Sequence, residues 1–311
     1  MTDDKKPQHE RLIILGSGPA GLSSALYAAR AELSPLVLAG TDLGGQASLT
    51  NIIENYPGFP EGVGGVELST LMQKQAEKFG ARIEVDTATS VDLRKHPFEV
   101  NTYGKTYLAD SLILATGASP VHLQVPGEQE YIGRGVSYCA TCDGWFFREK
   151  KIVVVGGGDS ALEEALFLTK FASEVTIIHR RDEFRAGVLL QSRVESNQKI
   201  QFKLNSIVTA IEGVDNVKKV QLIDTVTGEK SEMQTDGVFI FIGHNPNTEL
   251  FKGQLEMDER GYLKVDRKQK TSVDGVYAAG EAADPIFRQV VTSAGMGAAA
   301  AIEAEKYLSE R

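Results

Sequence analysis

The two cysteines of the 311-residue sequence stand two residues apart, as Cys139 and Cys142 in the run YCATCDG at positions 138–144. A disulfide scaffold of the secreted type would need more cysteines, spread along the chain. Half of a zinc site would need a second cysteine pair or histidines at ligand spacing, and neither lies nearby. The pair therefore predicts a redox-active dithiol, and no metal site is predicted.

Two segments of the chain share one order of elements: an apolar strand, a glycine-rich turn, a helix and a second apolar strand. In the first, the strands are Arg11–Leu15 and Pro35–Ala39, and the helix is predicted over Leu22–Ala31. In the second, the strands are Lys151–Val155 and Glu174–Ile178, with the helix over Leu162–Phe171. The turns are Gly16, Ser17, Gly18, Pro19, Ala20 and Gly21, and Gly156, Gly157, Gly158, Asp159, Ser160 and Ala161.

The glycines of these turns have a physical role in dinucleotide binding. The first allows a tight turn, and the second lets the backbone approach a pyrophosphate. The third position must be small so that helix and strand can pack, and Ala161 meets that requirement. The helix N-terminus then faces the negative charge. One such turn is weak support, but two copies in the same context predict two dinucleotide sites rather than two packing turns.

The residues after the second strand of each unit discriminate between nucleotides. In the second unit they include His179, Arg180, Arg181 and Arg185. Guanidinium groups bind a 2′-phosphate bidentately, so this stretch predicts NADPH. The alternative is a solvated charge run, partly neutralised by its acidic neighbours. In the first unit Ala39 and Gly40 stand where an acidic residue is usual, with Asp42 just beyond, so spacing leaves that cofactor open.

The chain is predicted to cross between two domains twice. Apolar strands over 111–117 and 237–243 each end at a glycine, and prolines follow at 120 and 246. We expect an α/β protein with two Rossmann-like, three-layer dinucleotide-binding domains, one inserted into the other. The outer domain comprises residues 1–118 and 247–311, and the inserted one residues 119–246 with the cysteine pair. Hairpins are expected around 98–108 and 217–226, and a final helix over 292–308.

Composition and charge exclude several classes of function. The net charge is −9, which argues against nucleic acid as a partner. The polar first ten residues lack the apolar segment of a secretory signal, and no apolar run is long enough to span a membrane. A cytoplasmic protein without a membrane partner is expected.

As a set, these residues resemble the bacterial low-molecular-weight thioredoxin reductases, which are class II pyridine nucleotide-disulfide oxidoreductases. The resemblance covers almost the whole chain. Besides the cysteine motif, both glycine turns and the basic stretch, it rests on GGQ at 44–46, NYPG at 55–58, ATGA at 115–118, IGH at 242–244, AAGE at 278–281 and RQ at 288–289.

This resemblance implies two cofactors and a set of binding residues. FAD would lie in the outer domain, held by the first turn and by Gly44, Gly45, Gln46, Asn55, Gly280, Glu281, Arg288, Gln289 and Val290. NADPH would lie in the inserted domain, held by Gly156, Gly158, Asp159, Ser160, His179, Arg180, Arg181 and Arg185. The family is homodimeric, and its smaller domain rotates between two states.

The resemblance also implies a mechanism. Hydride passes from NADPH to FAD, and the reduced flavin opens the Cys139–Cys142 disulfide. Cys142 would face the flavin, and Cys139 would attack the disulfide of thioredoxin. Since the thiolate is the nucleophile, a proton must be handled at each step, and Asp143 is the candidate acid/base. A turn-forming aspartate before Gly144 is the alternative reading.

The sequence departs from the family pattern at two positions. Glu281 stands where aspartate is common, and Trp145 where phenylalanine is usual. Three other functions stay open: a ferredoxin-driven flavin thioredoxin reductase, a reductase of another thioredoxin-like or peroxiredoxin partner, and a flavin-bearing redox sensor. The intact nicotinamide motif favours NADPH-driven turnover over the first and the last.

Overall fold

The computed structural model describes residues 6–41, 43–50 and 52–311. Asp42 lies outside the described residues. The strands are β1 Gln8–Leu15, β2 Leu36–Leu38, β3 Arg82–Glu84, β4 Ser90–Asp92, β5 Phe98–Asn101, β6 Thr106–Leu114, β7 Ala118–Pro120, β8 Val136–Ser137, β9 Lys151–Val155, β10 Glu174–Ile178, β11 Ile200–Lys203, β12 Ser206–Gly213, β13 Val217–Asp224, β14 Lys230–Gln234, β15 Gly237–Ile240, β16 His244–Pro246 and β17 Val276–Ala278. The α-helices are α1 Pro19–Arg30, α2 Gly65–Lys78, α3 Ala140–Asp143, α4 Asp159–Leu168, α5 Val188–Glu195 and α6 Val290–Ser309. Short 3₁₀ turns cover Gly45–Leu49, Gly144–Phe147, Glu249–Phe251 and Gly280–Ala282.

The chain divides into two compact units. Unit 1 comprises residues 1–119 and 245–311, and unit 2 comprises residues 120–244. Both have strands and helices in alternation around a largely parallel sheet, which is the predicted α/β class.

Unit 1 is built on a mixed sheet in the order β3-β2-β1-β6-β5-β4. The strands β1, β2, β3 and β6 are parallel, whereas β5 is antiparallel to the first half of β6 and β17 is parallel to its second half. The first arm of the predicted hairpin at 98–108 is β5, and its second arm continues into the predicted strand at 111–117 as one long strand, β6. In its second half, residues 112–114 are apolar and buried without alternation, as expected of a strand covered on both faces, whereas the burial of its first half alternates.

Small residues allow α1 and α6 to approach closely in unit 1. An added Cβ on Gly297 would lie 2.1 Å from the carbonyl oxygen of Ala20. The hydroxyl of Ser24 lies 2.9 Å from the carbonyl oxygen of Gly297, so a hydrogen bond crosses the same contact. The alanines of both helices line the core there, and they fill the narrow space between the helices without clashes.

Unit 2 has a parallel sheet in the order β11-β10-β9-β15-β8, with α4 and α5 packed beside it. The strands β12, β13 and β14 form a separate antiparallel sheet. The range 217–226, where a hairpin was expected, covers the middle strand β13 and the start of the turn after it, because both partner strands lie outside that range. Among the described residues, no helix is both long enough and apolar enough to cross a membrane.

Candidate functional site

The redox motif of unit 2 is a single helical turn that begins at a cysteine. Cys139 is the N-cap of α3, and its sulfur forms a disulfide with Cys142, whose Cα lies 5.3 Å away. The backbone N–H of Cys142 points at the Cys139 sulfur, at 3.2 Å. An N–H at a helix N-terminus stabilises negative charge, so this turn would favour a thiolate on Cys139 once the disulfide is opened.

The carboxyl group of Asp143, directly after Cys142, is held by a neighbouring serine side chain. The Ser137 hydroxyl donates a hydrogen bond to its Oδ2 at 2.6 Å. Burial raises the pKa of Asp143, and the bond from Ser137 opposes that change. A carboxyl group with a raised pKa can take up and release a proton nearer to neutral pH, which is a property of acid/base groups.

The first glycine turn, in unit 1, has two crowded positions and one open position. An added Cβ would lie 2.3 Å from the Ala115 carbonyl oxygen at Gly16, where φ is +108°, and 2.0 Å from the Gly16 carbonyl oxygen at Gly21. At Gly18 it would meet no described atom within 4 Å. Gly18 is also the N-cap of α1, with Pro19 in the first turn, so the open position lies at the N-terminus of that helix. This arrangement fits the approach of a pyrophosphate.

The predicted stretch 44–46 reaches this turn at Gly45. An added Cβ on Gly45 would be 3.2 Å from the Gly18 Cα, so the backbone at 44–46 borders the open position. Gly44 has a φ of +87°, which few other residues adopt without strain. Gln46 follows in the 3₁₀ turn. Ser17 is buried and donates a hydrogen bond to the Ala39 carbonyl oxygen, which connects the turn to the end of β2.

The residues predicted from the C-terminal part of the chain reach the same region of unit 1. An added Cβ on Gly280 would lie 2.8 Å from the Ala20 Cβ, in the first turn of α1. Asn55 donates a hydrogen bond to Gln289 at 3.1 Å. Gln289 is the N-cap of α6, which starts at Val290. The structure therefore brings together residues that are separated by more than 200 positions.

Glu281 has a perturbed carboxyl group. Burial raises its pKa to about 7, the nearby Asp284 raises it too, and Arg288 opposes both. A group that titrates near neutral pH inside a proposed cofactor site is a functional candidate. In the same unit, the buried hydroxyl oxygen of Thr116 has no hydrogen-bond partner among the described residues. Both groups suit a ligand that carries hydroxyl groups.

The second glycine turn, in unit 2, combines a crowded glycine with an open one, as the first turn does. An added Cβ on Gly156 would lie 2.5 Å from the Phe241 carbonyl oxygen, whereas one on Gly158 would meet no described atom within 4 Å. Gly158 is the N-cap of α4. Asp159 accepts a hydrogen bond from the Gly187 N–H at 2.8 Å, and Ser160 is exposed beside it.

The basic stretch lies immediately after β10. Arg180, Arg181 and Arg185 are exposed, and in the part of the chain that the structure describes none of them forms an ion pair. Their exposure fits both a phosphate site and the alternative of a solvated charge run, although no ion pair with an acidic neighbour forms among the described residues. The Arg185 N–H donates to the Gly157 carbonyl oxygen at 2.8 Å, which holds this stretch against the glycine turn.

His179 is buried beneath the same turn. An added Cβ on Gly157 would lie 2.3 Å from its Nδ1, so only glycine leaves room for the ring. Burial lowers the pKa of His179, a hydrogen bond with the Glu183 backbone opposes this change, and the neighbouring arginines lower the pKa further. Its buried Nε2 has no hydrogen-bond partner among the described residues. A neutral imidazole with one unused polar atom is available to a ligand.

Sequence reasoning missed two residues around the redox motif, Ser137 and Glu128, and identified a third, Trp145, only as a departure from the family pattern. Ser137 holds Asp143, and nothing in the spacing indicates this contact. Glu128 is 1% exposed and accepts a hydrogen bond from Tyr138, the residue before Cys139, at 2.8 Å. Trp145 is 50% exposed and lies under the Arg148 guanidinium, 4.3 Å from the ring centroid.

Comparison with known proteins places this arrangement in a family. The model of the pyridine nucleotide-disulphide oxidoreductase family matches residues 10–297. The thioredoxin reductase of Mycolicibacterium smegmatis is 52% identical over 301 residues, covering 96% of this chain and 97% of that protein. The bifunctional thioredoxin reductase/thioredoxin of Mycobacterium leprae (strain TN) is 51% identical over 305 residues, covering 97% of this chain and 66% of that protein.

A solved structure agrees with these sequence matches. The crystal structure of thioredoxin reductase from Streptococcus pyogenes MGAS5005 superposes with a TM-score of 0.94 at 40% identity, covering 98% of this chain and 100% of that one. With two glycine turns and a closed Cys-x-x-Cys disulfide in the same chain, the chain belongs to the thioredoxin reductases of the pyridine nucleotide-disulphide oxidoreductase family.

Proposed function

We propose that this protein is an NADPH-dependent, FAD-containing reductase that passes electrons through Cys139 and Cys142 to oxidised thioredoxin. The observation that carries the proposal is the Cys139–Cys142 disulfide, closed across a single helical turn in a chain with two open glycine turns. The family uses a flavin and a pyridine nucleotide. Thioredoxin is favoured as the partner because the Mycobacterium leprae relative is a bifunctional thioredoxin reductase/thioredoxin.

FAD is proposed to bind unit 1, over the domain expected at residues 1–118 and 247–311. The open position at Gly18 fits its pyrophosphate, and the helix N-terminus there favours negative charge. Glu281 and the buried Thr116 hydroxyl would accept or donate hydrogen bonds to the sugar-alcohol chain. When bound, the flavin takes a hydride from a nicotinamide and supplies an electron pair to a disulfide.

NADPH is proposed to bind unit 2, the expected domain 119–246. Gly158 would face the pyrophosphate, and the three exposed arginines at 180, 181 and 185 would bind the 2′-phosphate. His179 would donate or accept one further hydrogen bond through its Nε2. A nicotinamide nucleotide without the 2′-phosphate would leave the guanidinium groups solvated and bind less tightly.

The cysteines would reduce thioredoxin by two thiol–disulfide exchanges. The Cys139 thiolate attacks one sulfur of the thioredoxin disulfide, a new disulfide forms, and the other thioredoxin sulfur leaves as a thiolate. The Cys142 thiolate then attacks the Cys139 sulfur, which re-forms the Cys139–Cys142 disulfide and releases the second thioredoxin sulfur. The enzyme dithiol loses two electrons and two protons, and thioredoxin gains both. Asp143 would accept a proton from a cysteine thiol and return it to a leaving thiolate.

A homodimer is proposed through unit 1. Exposed apolar side chains occur in two of its segments, and the hydrogen bond between Asn55 and Gln289 brings those segments together. They are Leu49, Ile52, Ile286 and Phe287. A contiguous apolar surface is typical of a self-complementary interface. Light scattering should give a dimer mass, which Ile286→Asp lowers. The control Tyr103→Asp, at an exposed position in the β5–β6 turn, should leave the dimer mass unchanged.

The test of the reaction is NADPH oxidation by the purified protein with thioredoxin and a disulfide acceptor. We expect turnover that requires thioredoxin and is lost in Cys142→Ser, while anaerobic NADPH still bleaches the flavin of that variant. If NADPH failed to bleach the wild-type flavin and reduced ferredoxin succeeded, the ferredoxin-driven function would replace this one. Bleaching without turnover on any disulfide partner would instead favour a redox sensor.

A further inference from the structure

The Ser137 hydroxyl lies at the centre of the contacts around the redox turn. It is 2.6 Å from Asp143 Oδ2 and 3.2 Å from the Cys139 carbonyl oxygen. The Cys139 N–H donates to it at 3.1 Å. Ser137 is 4% exposed, so water does not compete freely for these bonds.

The donors and acceptors fix the direction of these bonds. A hydroxyl has one hydrogen, and the Cys139 N–H already occupies one of its two acceptor positions. With Asp143 ionised, the hydrogen goes to the carboxylate, which is the nearer and the charged acceptor. With Asp143 protonated, the acid would donate to Ser137 Oγ, and the serine hydrogen would rotate to the Cys139 carbonyl oxygen. Both protonation states then keep a complete set of hydrogen bonds.

We propose that Ser137 is a positioning residue that holds the Asp143 carboxyl group in place in both of its protonation states. The inference rests on the proposed role of Asp143 as acid/base for the cysteine pair. In each cycle one proton moves from a cysteine sulfur to a carboxyl oxygen of Asp143 and later back to a sulfur. Ser137 gains and loses no proton, because only the direction of its O–H changes.

The electrostatics of Asp143 are consistent with this role. Burial raises its pKa and the Ser137 bond lowers it; among the described residues, no charged side chain contributes. In the dithiol form, Cys139 and Cys142 on the same turn would be the other titratable groups. Without the serine hydroxyl, burial alone would keep Asp143 protonated to higher pH. It would then be a poorer proton acceptor for a thiol at neutral pH.

The experiment is an infrared pH titration of the flavin-loaded disulfide form. The band of the protonated Asp143 carboxyl is identified by its absence in Asp143→Asn. In Ser137→Ala we expect its midpoint to rise by about one pH unit, because a hydrogen bond to a charged group is lost. Ser137→Thr should keep the wild-type midpoint, and Ser137→Val, which has the shape of threonine without the hydroxyl, should show the rise. Ser206→Ala, at another buried serine of unit 2, serves as the control.

The outcomes separate the positioning role of Ser137 from the acid/base role of Asp143. Equal midpoints in the threonine and valine variants would overturn the positioning role, whatever their activity. The pH profile of thioredoxin reduction tests the acid/base role of Asp143. An unchanged profile in Asp143→Asn would rule out that role, even if the infrared midpoint of Asp143 shifts in Ser137→Ala. If both roles hold, Ser137→Ala alone shifts the pH profile of thioredoxin reduction. The same substitution has no further effect when Asp143→Asn is already present.

Discussion

Replacing Glu281 by glutamine should change how the stability of the flavin-free protein depends on pH. The partly buried carboxyl group of Glu281 has a pKa of about 7, against 4.5 in an unfolded chain. Between these values the folded state holds a proton that the unfolded state releases. Stability is therefore lost as pH rises from 4.5 to 7, and the loss is complete above pH 7.

The size of the effect follows from the displacement of the pKa. A rise from 4.5 to about 7 corresponds to about 3 kcal/mol, at 1.36 kcal/mol per pH unit. Glutamine keeps the length and an acceptor oxygen but does not ionise. Glu281→Gln should therefore resemble the wild type at acid pH and exceed its stability by up to about 3 kcal/mol at about pH 8.

The assay is urea unfolding of FAD-depleted wild type and variant, followed by circular dichroism at several pH values. The exposed Glu259, changed to glutamine, provides the control and should show no such trend. A difference between wild type and Glu281→Gln that stayed constant from pH 4.5 to 8 would refute the reasoning. It would mean that Arg288 keeps the carboxylate ionised across the range, against the effect of burial.

Three further predictions concern the proposed sites. Gly18→Ala should fold normally but retain less FAD, whereas Gly21→Ala should lower stability because its Cβ meets the Gly16 carbonyl oxygen. Equal melting temperatures and equal flavin contents of the two variants would contradict this contrast. Tyr138→Phe should lower the free energy of unfolding by about 1–3 kcal/mol, since buried Glu128 loses a donor; a neutral result in urea unfolding would show that water replaces the hydroxyl. Arg181→Ala should raise the KM for NADPH about tenfold and leave that for NADH unchanged, and steady-state kinetics showing equal losses would reject a phosphate contact.

The sequence predicted the elements better than their ends. The helices expected from Leu22 and Leu162 start at Pro19 and Asp159 instead, because the open glycines before them act as N-caps. Proline is suited to the first helical turn, where it has no N–H to lose. The final helix, expected from Thr292, begins at Val290 because Gln289 and Thr292 form a reciprocal cap. The residue at which a helix begins depends on such capping contacts, and the spacing of apolar residues does not reveal them.

What the sequence determined by itself was local chemistry: a cysteine pair one helical turn apart and two turns whose glycines obey short-range steric rules. These features depend on residues within a few positions of one another, so spacing alone is informative. Only the tertiary structure decided which distant groups meet. It placed the His179 ring against Gly157, Asn55 against Gln289, and Ser137 against Asp143. Those contacts depend on strand order and on the burial of each side chain, which arise when the whole chain packs and which no local pattern contains.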